Sequence, residues 1–202
     1  MKSLYLYLFC AFIVMLQPDC LFAQGDVYAQ GNIEMREGNY QQAEYYYKIA
    51  LEREPKNVLI SNALGICLMA QKKYLEADKV FESAIELDTN YQTTFWNLAK
   101  SATYQRKDSV AIDWYERFIR VAERQKISVT QAHLNVVMCY ERMLTTTGIL
   151  QEQYYNLMHH ANRFMVLFPD APEIRPLQEF LSKLASSVPD FNVPGQRFVY
   201  RG

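Results

Sequence analysis

Glycine and proline are scarce in this chain, whose 202 residues contain only seven of each. A β-sandwich with many turns needs such residues at short intervals, so their scarcity argues against that class. The chain also lacks a charge surplus, since 21 Lys and Arg stand against 22 Asp and Glu, for a net charge of -1. No broad cationic field is available to attract a phosphate backbone, and we expect no nucleic acid partner.

The motifs of common catalytic sites are missing as well. The sequence has no HExxH, no GxSxG, no phosphate-binding loop and no glycine-rich dinucleotide turn. Only three histidines occur, at His133, His159 and His160. Adjacent helical residues point about 100° apart, so His159 and His160 do not easily face one metal ion. We therefore predict a protein that is not an enzyme and that holds no metal and no cofactor.

Apolar and aromatic residues are what the chain has in quantity. It is 50% hydrophobic and 21% charged, and it contains 15 Tyr and 11 Phe. A chain of this length and composition can bury a continuous core, which predicts one folded domain rather than disorder. Few turn residues beside many bulky side chains favour long, closely packed helices.

The first 23 residues have the pattern of a secretory signal peptide. Lys2 is followed by an uncharged apolar run at residues 4–16, which is shorter than the roughly 20 residues needed to span a bilayer. Pro18 then breaks the helix, and Ala23 offers a small residue for cleavage. We expect a mature chain that begins at Gln24 and is exported to the periplasm or cell envelope, with membrane association only indirect, through a complex.

Cleavage after Ala23 would leave two of the four cysteines, Cys67 and Cys139. Asp19 precedes Cys20 where a lipid-attachment site needs a small neutral residue, so we expect no lipid anchor. In an oxidising compartment Cys67 and Cys139 could form one disulfide. Their apolar surroundings favour the alternative, two free thiols in the core.

An internal repeat is found by sliding the chain 34 residues along itself. The aligned columns pair small residues with small ones and aromatic residues with aromatic ones in most positions. They are Gly31 with Gly65 and Ala99, Tyr40 with Tyr74 and Asp108, Ala43 with Ala77 and Ala111, Tyr47 with Phe81 and Tyr115, and Ala50 with Ala84 and Phe118.

Each period is predicted to fold as a hairpin of two helices. Ala43, Tyr47 and Ala50 lie on one side of a helix with 3.6 residues per turn. Gly38 can end the first helix in a left-handed conformation. Pro55 ends the second helix, because it cannot continue the hydrogen-bond ladder. We also expect Asn39 to cap the second helix through its side chain.

This order of residues at a 34-residue period resembles the tetratricopeptide repeat (TPR) family. The resemblance implies an all-α fold, a right-handed superhelical solenoid of antiparallel helix hairpins. We predict repeats at 24–57, 58–91 and 92–125, an atypical last repeat at 126–170 with an insertion, and a capping helix at 173–186, all within a domain at 24–188. Residues 189–202 would form an extended tail, either loose or folded back. Departures from the family pattern are Gln30 for Leu, Thr89 for Pro and Asp108 for Tyr.

The resemblance also implies a concave surface, lined by the first helix of each pair, that holds a peptide or partner domain. The matching positions are Tyr28, Asn32, Met35 and Arg36 in the first repeat, Asn62, Ile66 and Met69 in the second, and Trp96, Lys100, Thr103 and Tyr104 in the third. Spacings of four place Tyr28, Asn32 and Arg36 along one side of a helix. In the alternative interpretation Trp96 and the methionines only fill the core.

Two functions remain open at this stage. One is a non-catalytic scaffold or adaptor in the periplasm or cell envelope, which holds a peptide or partner domain in the TPR groove. The other is a permanent structural subunit of a membrane-associated envelope complex. Tyr28 stands where the family's clamp for chaperone tails has Lys, so that use is not expected. Separately, Asp108-Ser109-Val110 resembles an O-glycosylation acceptor of some secreted bacterial proteins.

Overall fold

The computed structural model describes residues 26–187 and 195–200. Across these ranges it contains nine α-helices and, apart from one isolated bridge, no β structure. The helices are α1 Val27–Glu37, α2 Tyr40–Arg53, α3 Val58–Ala70, α4 Tyr74–Leu87, α5 Gln92–Tyr104, α6 Asp108–Arg124, α7 Thr130–Thr146, α8 Gln151–Leu167 and α9 Ile174–Ser187. The predicted all-α fold of helix hairpins is confirmed, whereas the predicted leader lies outside the described residues.

The chain divides into two compact units, Met1–Val80 and Phe81–Gly202, and the division falls inside α4. The predicted repeat and domain bounds stay predictions. In the part of the chain that the structure describes, no helix is both long and apolar enough to cross a membrane. Cys67 and Cys139 are buried free thiols, one in each unit.

The α1–α2 hairpin of the first unit depends on two glycines. Gly31 lies so close to α2 that a Cβ there would stand 2.6 Å from Cε1 of Tyr47. Gly38 has φ 81° and ends α1, and the N–H of Asn39 donates to the Glu34 carbonyl at 2.9 Å. The expected side-chain cap by Asn39 is wrong, because its amide donates instead to the carboxylates of Glu34 and Glu37.

The same left-handed turn recurs without glycine. Lys72 and Arg106 follow Gly38 at steps of 34 residues, and their φ values are 62° and 60°. A left-handed conformation costs a residue with a Cβ roughly 1–2 kcal/mol. The turn geometry of the repeat is therefore kept at two positions where the side chain opposes it.

A carboxylate joins α2 to the turn between α3 and α4 in the first unit. Glu44 is 8% exposed, and its side chain accepts from Lys48 at 2.6 Å and from Lys73 and Gln71 at 2.8 Å each. Burial raises the pKa of this carboxyl, but the hydrogen bonds from Lys48, Lys73 and Gln71 outweigh it and lower the pKa to about 2. Glu44 therefore stays ionised and paired.

In the second unit, α5 to α9 enclose a core that includes Ala99, Ala111 and Tyr115, each at most 2% exposed. Asp108, the departure from the family pattern, accepts from Nε of Arg142 at 3.0 Å and also from Nη2. This ion pair ties the start of α6 to α7, which gives the unusual residue a structural role.

Residues 195–200 fold back onto their own unit. Ile149 and Phe198 form an antiparallel bridge with N–H···O distances of 2.8 and 2.9 Å, and the Tyr200 N–H donates to the Leu144 carbonyl. Gly148, at φ 70°, makes room for this bridge, because a Cβ there would lie 2.8 Å from the Phe198 carbonyl oxygen. Of the two alternatives for the tail, residues 195–200 show the folded-back one.

Candidate partner-binding surfaces

An open recess of about 520 Å³ lies on α1 in the first unit. Asn32, Met35 and Arg36 line it, together with Ala29 and Ile33. Three predicted site residues therefore share one surface feature, which contains both apolar side chains and a cationic one.

Tyr28, the fourth predicted residue of α1, is not among the residues that line this recess and packs against α2 instead. Its ring lies 5.9 Å from the ring of Tyr47, which is 1% exposed. Burial, and more weakly the charges of Tyr28 and Cys67, raise the pKa of Tyr47 to about 12. The hydroxyl is therefore protonated at neutral pH and donates to Oδ1 of Asn32 at 2.9 Å, which fixes the position of that amide.

The predicted residues of α3 differ in how much a partner could reach them. Ile66 is 40% exposed and Met69 is half-buried. Asn62 is only 3% exposed, and its amide donates to the Val58 carbonyl at 3.0 Å. Asn62 thus presents almost no surface to a partner.

A second recess, of about 320 Å³, lies in the second unit. We call it the Trp96 recess. Residues of α5, of α6 and of the α6–α7 segment into α7 form it. They are Gln92, Thr93, Trp96, Phe118, Ile127, Ser128, Gln131 and Ala132. None of these side chains carries a formal charge.

Trp96 forms part of the recess wall and also packs on the core. Its ring lies 5.4 Å from Tyr115 and 5.2 Å from Phe118, and its side chain is half-buried. Part of the indole therefore packs on the core, and its role as a binding residue stays a prediction. Removing the indole would disturb the core as well as the recess, so a clean test of the recess has to alter other residues.

The other predicted residues of α5 lie outside the Trp96 recess. Tyr104 is 57% exposed, Lys100 and Thr103 are half-buried, and the Thr103 hydroxyl donates to the Ala99 carbonyl at 2.8 Å. They stay predictions as binding residues.

Sequence reasoning missed most of this recess, above all the residues from α7. When Leu134 is aligned with Leu98, Ala132 occupies the repeat position that Trp96 has in the third repeat. A small residue at that position leaves the space that the recess occupies. The signal was therefore present, but the binding positions were projected only onto the first three repeats.

The described residues include no group of three or more His, Cys, Asp or Glu side chains that could hold a metal ion. The strongly perturbed carboxyl of Glu44 has its partners within the protein, which is the pattern of a structural ion-pair network rather than of a catalytic acid.

Comparison with known proteins identifies a repeat family. Residues 28–91 match the model described as tetratricopeptide repeat. No curated protein sequence matches the chain.

Solved structures resemble the fold. The first TPR of Spaghetti, bound to the HSP90 peptide SRMEEVD, has a TM-score of 0.53 at 17% identity and covers 59% of this chain and 91% of its own. The TPR2B domain of yeast Sti1 in its pHsp70 complex has a TM-score of 0.55 at 15% identity, covering 57% and 94%. Pseudomonas aeruginosa PilF has a TM-score of 0.55 at 17% identity, covering 78% and 65%. At these identities the likeness shows the fold alone.

Proposed function

We propose that this chain, whose residues 28–91 match the tetratricopeptide repeat model, is a non-catalytic scaffold that holds a peptide or partner domain. The Trp96 recess carries the proposal. It is open to solvent, it exposes part of a tryptophan, and its lining combines apolar side chains with polar ones that carry no charge. Aromatic residues are enriched at protein interfaces, and charged residues are depleted at their centres.

The two neighbours with bound partners support a binding role for this type of fold. The Spaghetti structure contains an HSP90 peptide and the Sti1 structure is a pHsp70 complex. The recess here has no Lys or Arg among its lining residues, so an acidic tail such as SRMEEVD would meet no opposite charge in it. We therefore propose a partner segment that is uncharged where it enters the recess.

We place this activity in the periplasm or cell envelope, on the basis of the leader pattern at residues 1–23. Mass spectrometry of the protein isolated from its native cells tests the placement. We expect a mature N-terminus at Gln24, and a chain that keeps residues 1–23 would contradict export by cleavage.

Filling the recess tests the binding proposal without removing core contacts. Gln131 is exposed on the recess rim, so we expect Gln131→Trp to occupy the space while leaving the fold intact. Gln178→Trp, at an exposed position of α9, is the matched control.

The measurement is affinity capture from the native envelope followed by mass spectrometry. A partner recovered with the wild-type and Gln178→Trp proteins, but lost with Gln131→Trp, supports the recess as the binding surface. Equal recovery with all three proteins removes that assignment. Recovery at fixed stoichiometry only from membrane extracts would favour the alternative, a permanent subunit of a membrane-associated complex.

A further inference from the structure

Two buried histidines face each other in the second unit. His133 on α7 and His160 on α8 are 2% and 5% exposed, and their Nδ1 atoms lie 2.7 Å apart. A hydrogen bond between two imidazole nitrogens needs one of them to donate and the other to accept. The contact therefore holds a single proton between the two rings.

Glu116 on α6 determines which ring donates. Its Oε1 lies 3.7 Å from Nε2 of His160, and a carboxylate favours a proton on the nitrogen that faces it. His160 then carries its proton on Nε2, and its Nδ1 accepts from Nδ1–H of His133. This leaves Nε2 of His133 as an unprotonated acceptor.

The surroundings of His133 fit that assignment. Its Nε2 is buried and has no hydrogen-bond partner among the described residues. An unpaired buried acceptor is tolerated better than an unpaired buried N–H. The three groups thus form a chain in which Glu116 orients His160 and His160 orients His133.

We propose that the His133–His160 pair is an acid-sensitive latch between α7 and α8. At neutral pH one proton closes the latch. A second proton, taken up from water, has two places to go, and both are unfavourable. On Nδ1 of His160 it would set N–H against N–H across the contact. On Nε2 of His133 it would create a buried imidazolium with an unpaired N–H. Either outcome favours separation of the rings.

The charged and titratable groups around the pair come from three helices. Glu116 and Arg120 lie on α6, Tyr140 lies on α7, and His159 and Arg163 lie on α8. Burial first, then the positive charges of His160, Arg163 and His159, lower the pKa of His133 to about 4. Glu116 opposes this effect, but its attraction acts on the far nitrogen of His160.

Neither Glu116 nor Tyr140 offsets the effect of acid on the His133–His160 contact. The interaction with His160 lowers the pKa of Glu116, so this carboxylate stays ionised. Burial raises the pKa of Tyr140 to about 12, so this hydroxyl stays neutral. Arg163 also pairs with Glu123 at 3.3 Å, which weakens but does not cancel its charge.

An open latch would also alter the Trp96 recess, because Gln131 and Ala132 directly precede His133 on α7. This consequence rests on the proposed function, whereas the latch itself does not. Its test needs no partner, so failure of the latch and failure of the binding proposal can be told apart.

The first experiment is a pH titration of the full chain labelled with ¹⁵N-histidine, followed by NMR. At pH 8 we expect His133 protonated on Nδ1 and His160 protonated on Nε2. Both signatures should vanish together as the pH falls towards 4, along with the signals of α7 and α8. A His133 that titrates near its ordinary pKa without any change in α7 and α8 would overturn the proposal.

The second experiment measures the unfolding equilibrium in urea between pH 7 and pH 4.5. Linkage from a pKa of about 4 in the folded state predicts a loss of stability on the order of 100-fold in the folding constant. The double variant His133→Leu with His160→Met should lose most of this dependence, and the exposed control His159→Gln should keep it. Equal pH dependence in the wild-type and double-variant proteins would refute the latch, and the titration of the wild-type protein stands if the double variant does not fold.

Discussion

Replacing Gly31 by Ala sets two effects of opposite sign against each other. Alanine is the better helix former by about 1 kcal/mol, so an unobstructed position in α1 would be stabilised. In this hairpin the added Cβ would lie 2.6 and 2.8 Å from Cε1 and Cδ1 of Tyr47, where ordinary contact begins at 3.4 Å. The ring must therefore move, or the helices must separate.

Tyr47 has little freedom to move. It is 1% exposed, and its hydroxyl donates to Asn32 at 2.9 Å, so a shift of the ring strains the packing and the hydrogen bond together. Overpacking of this kind costs about 1–3 kcal/mol, and a lost hydrogen bond costs about 1 kcal/mol more. After the gain in helix propensity, we expect Gly31→Ala to be net destabilising by about 1–3 kcal/mol.

Urea unfolding followed by circular dichroism measures this change. Gly38→Ala is a control for backbone strain alone, because φ is 81° there and no atom lies within 4 Å of the added Cβ. Tyr47→Leu removes the obstructing ring atoms, so adding Gly31→Ala to it should cost less than in the wild-type protein. A Gly31→Ala protein as stable as the wild type, or more stable, would refute the close packing of α1 on α2.

Three further changes test other parts of the structure. Lys72→Gly should stabilise by about 0.5–1 kcal/mol in urea unfolding, because it removes left-handed strain, and a loss of stability would count against that conformation. Glu44→Gln should lower the free energy of unfolding by about 2–3 kcal/mol at pH 7. Between pH 4.5 and 2 the wild-type protein should lose stability as this carboxylate takes up a proton, and the variant should not. A variant whose stability still falls over this pH range would contradict the assigned pKa. Gly148→Ala should release the tail and speed tryptic cleavage at Arg197, whereas Gly195→Ala, with open space at its Cβ, should not, and equal cleavage would exclude the proposed crowding.

The parts of the fold that follow from local periodicity could be read from the sequence. Ala43 and Tyr47 are 0% and 1% exposed, because a 3.6-residue period fixes which helix face is buried. Gly38 has the left-handed conformation predicted for it. Lys72 and Arg106 adopt the same conformation with no local signal, since tertiary packing imposes the turn on residues that do not favour it.

The candidate sites depend on residues distant in sequence, which is why they were predicted less completely. The Trp96 recess combines three helices and depends on a small residue, Ala132, which lies in a repeat onto which the binding positions were not projected. The contact of His133 with His160 spans 27 residues. Sequence reasoning considered only the adjacent pair His159 and His160, so it found no reason to join two histidines on different helices.

Asp108 has a consequence for anyone who would engineer this protein towards the tetratricopeptide repeat consensus. Restoring the usual Tyr at this position would improve the match to the repeat pattern, yet it would remove the acceptor of Arg142, whose side chain is only 25% exposed. The guanidinium of Arg142 would then lack its carboxylate acceptor, and this cost would offset any gain in stability from the more typical Tyr. Idealisation of the array should therefore treat Asp108 and Arg142 as one unit, to be exchanged together or kept together.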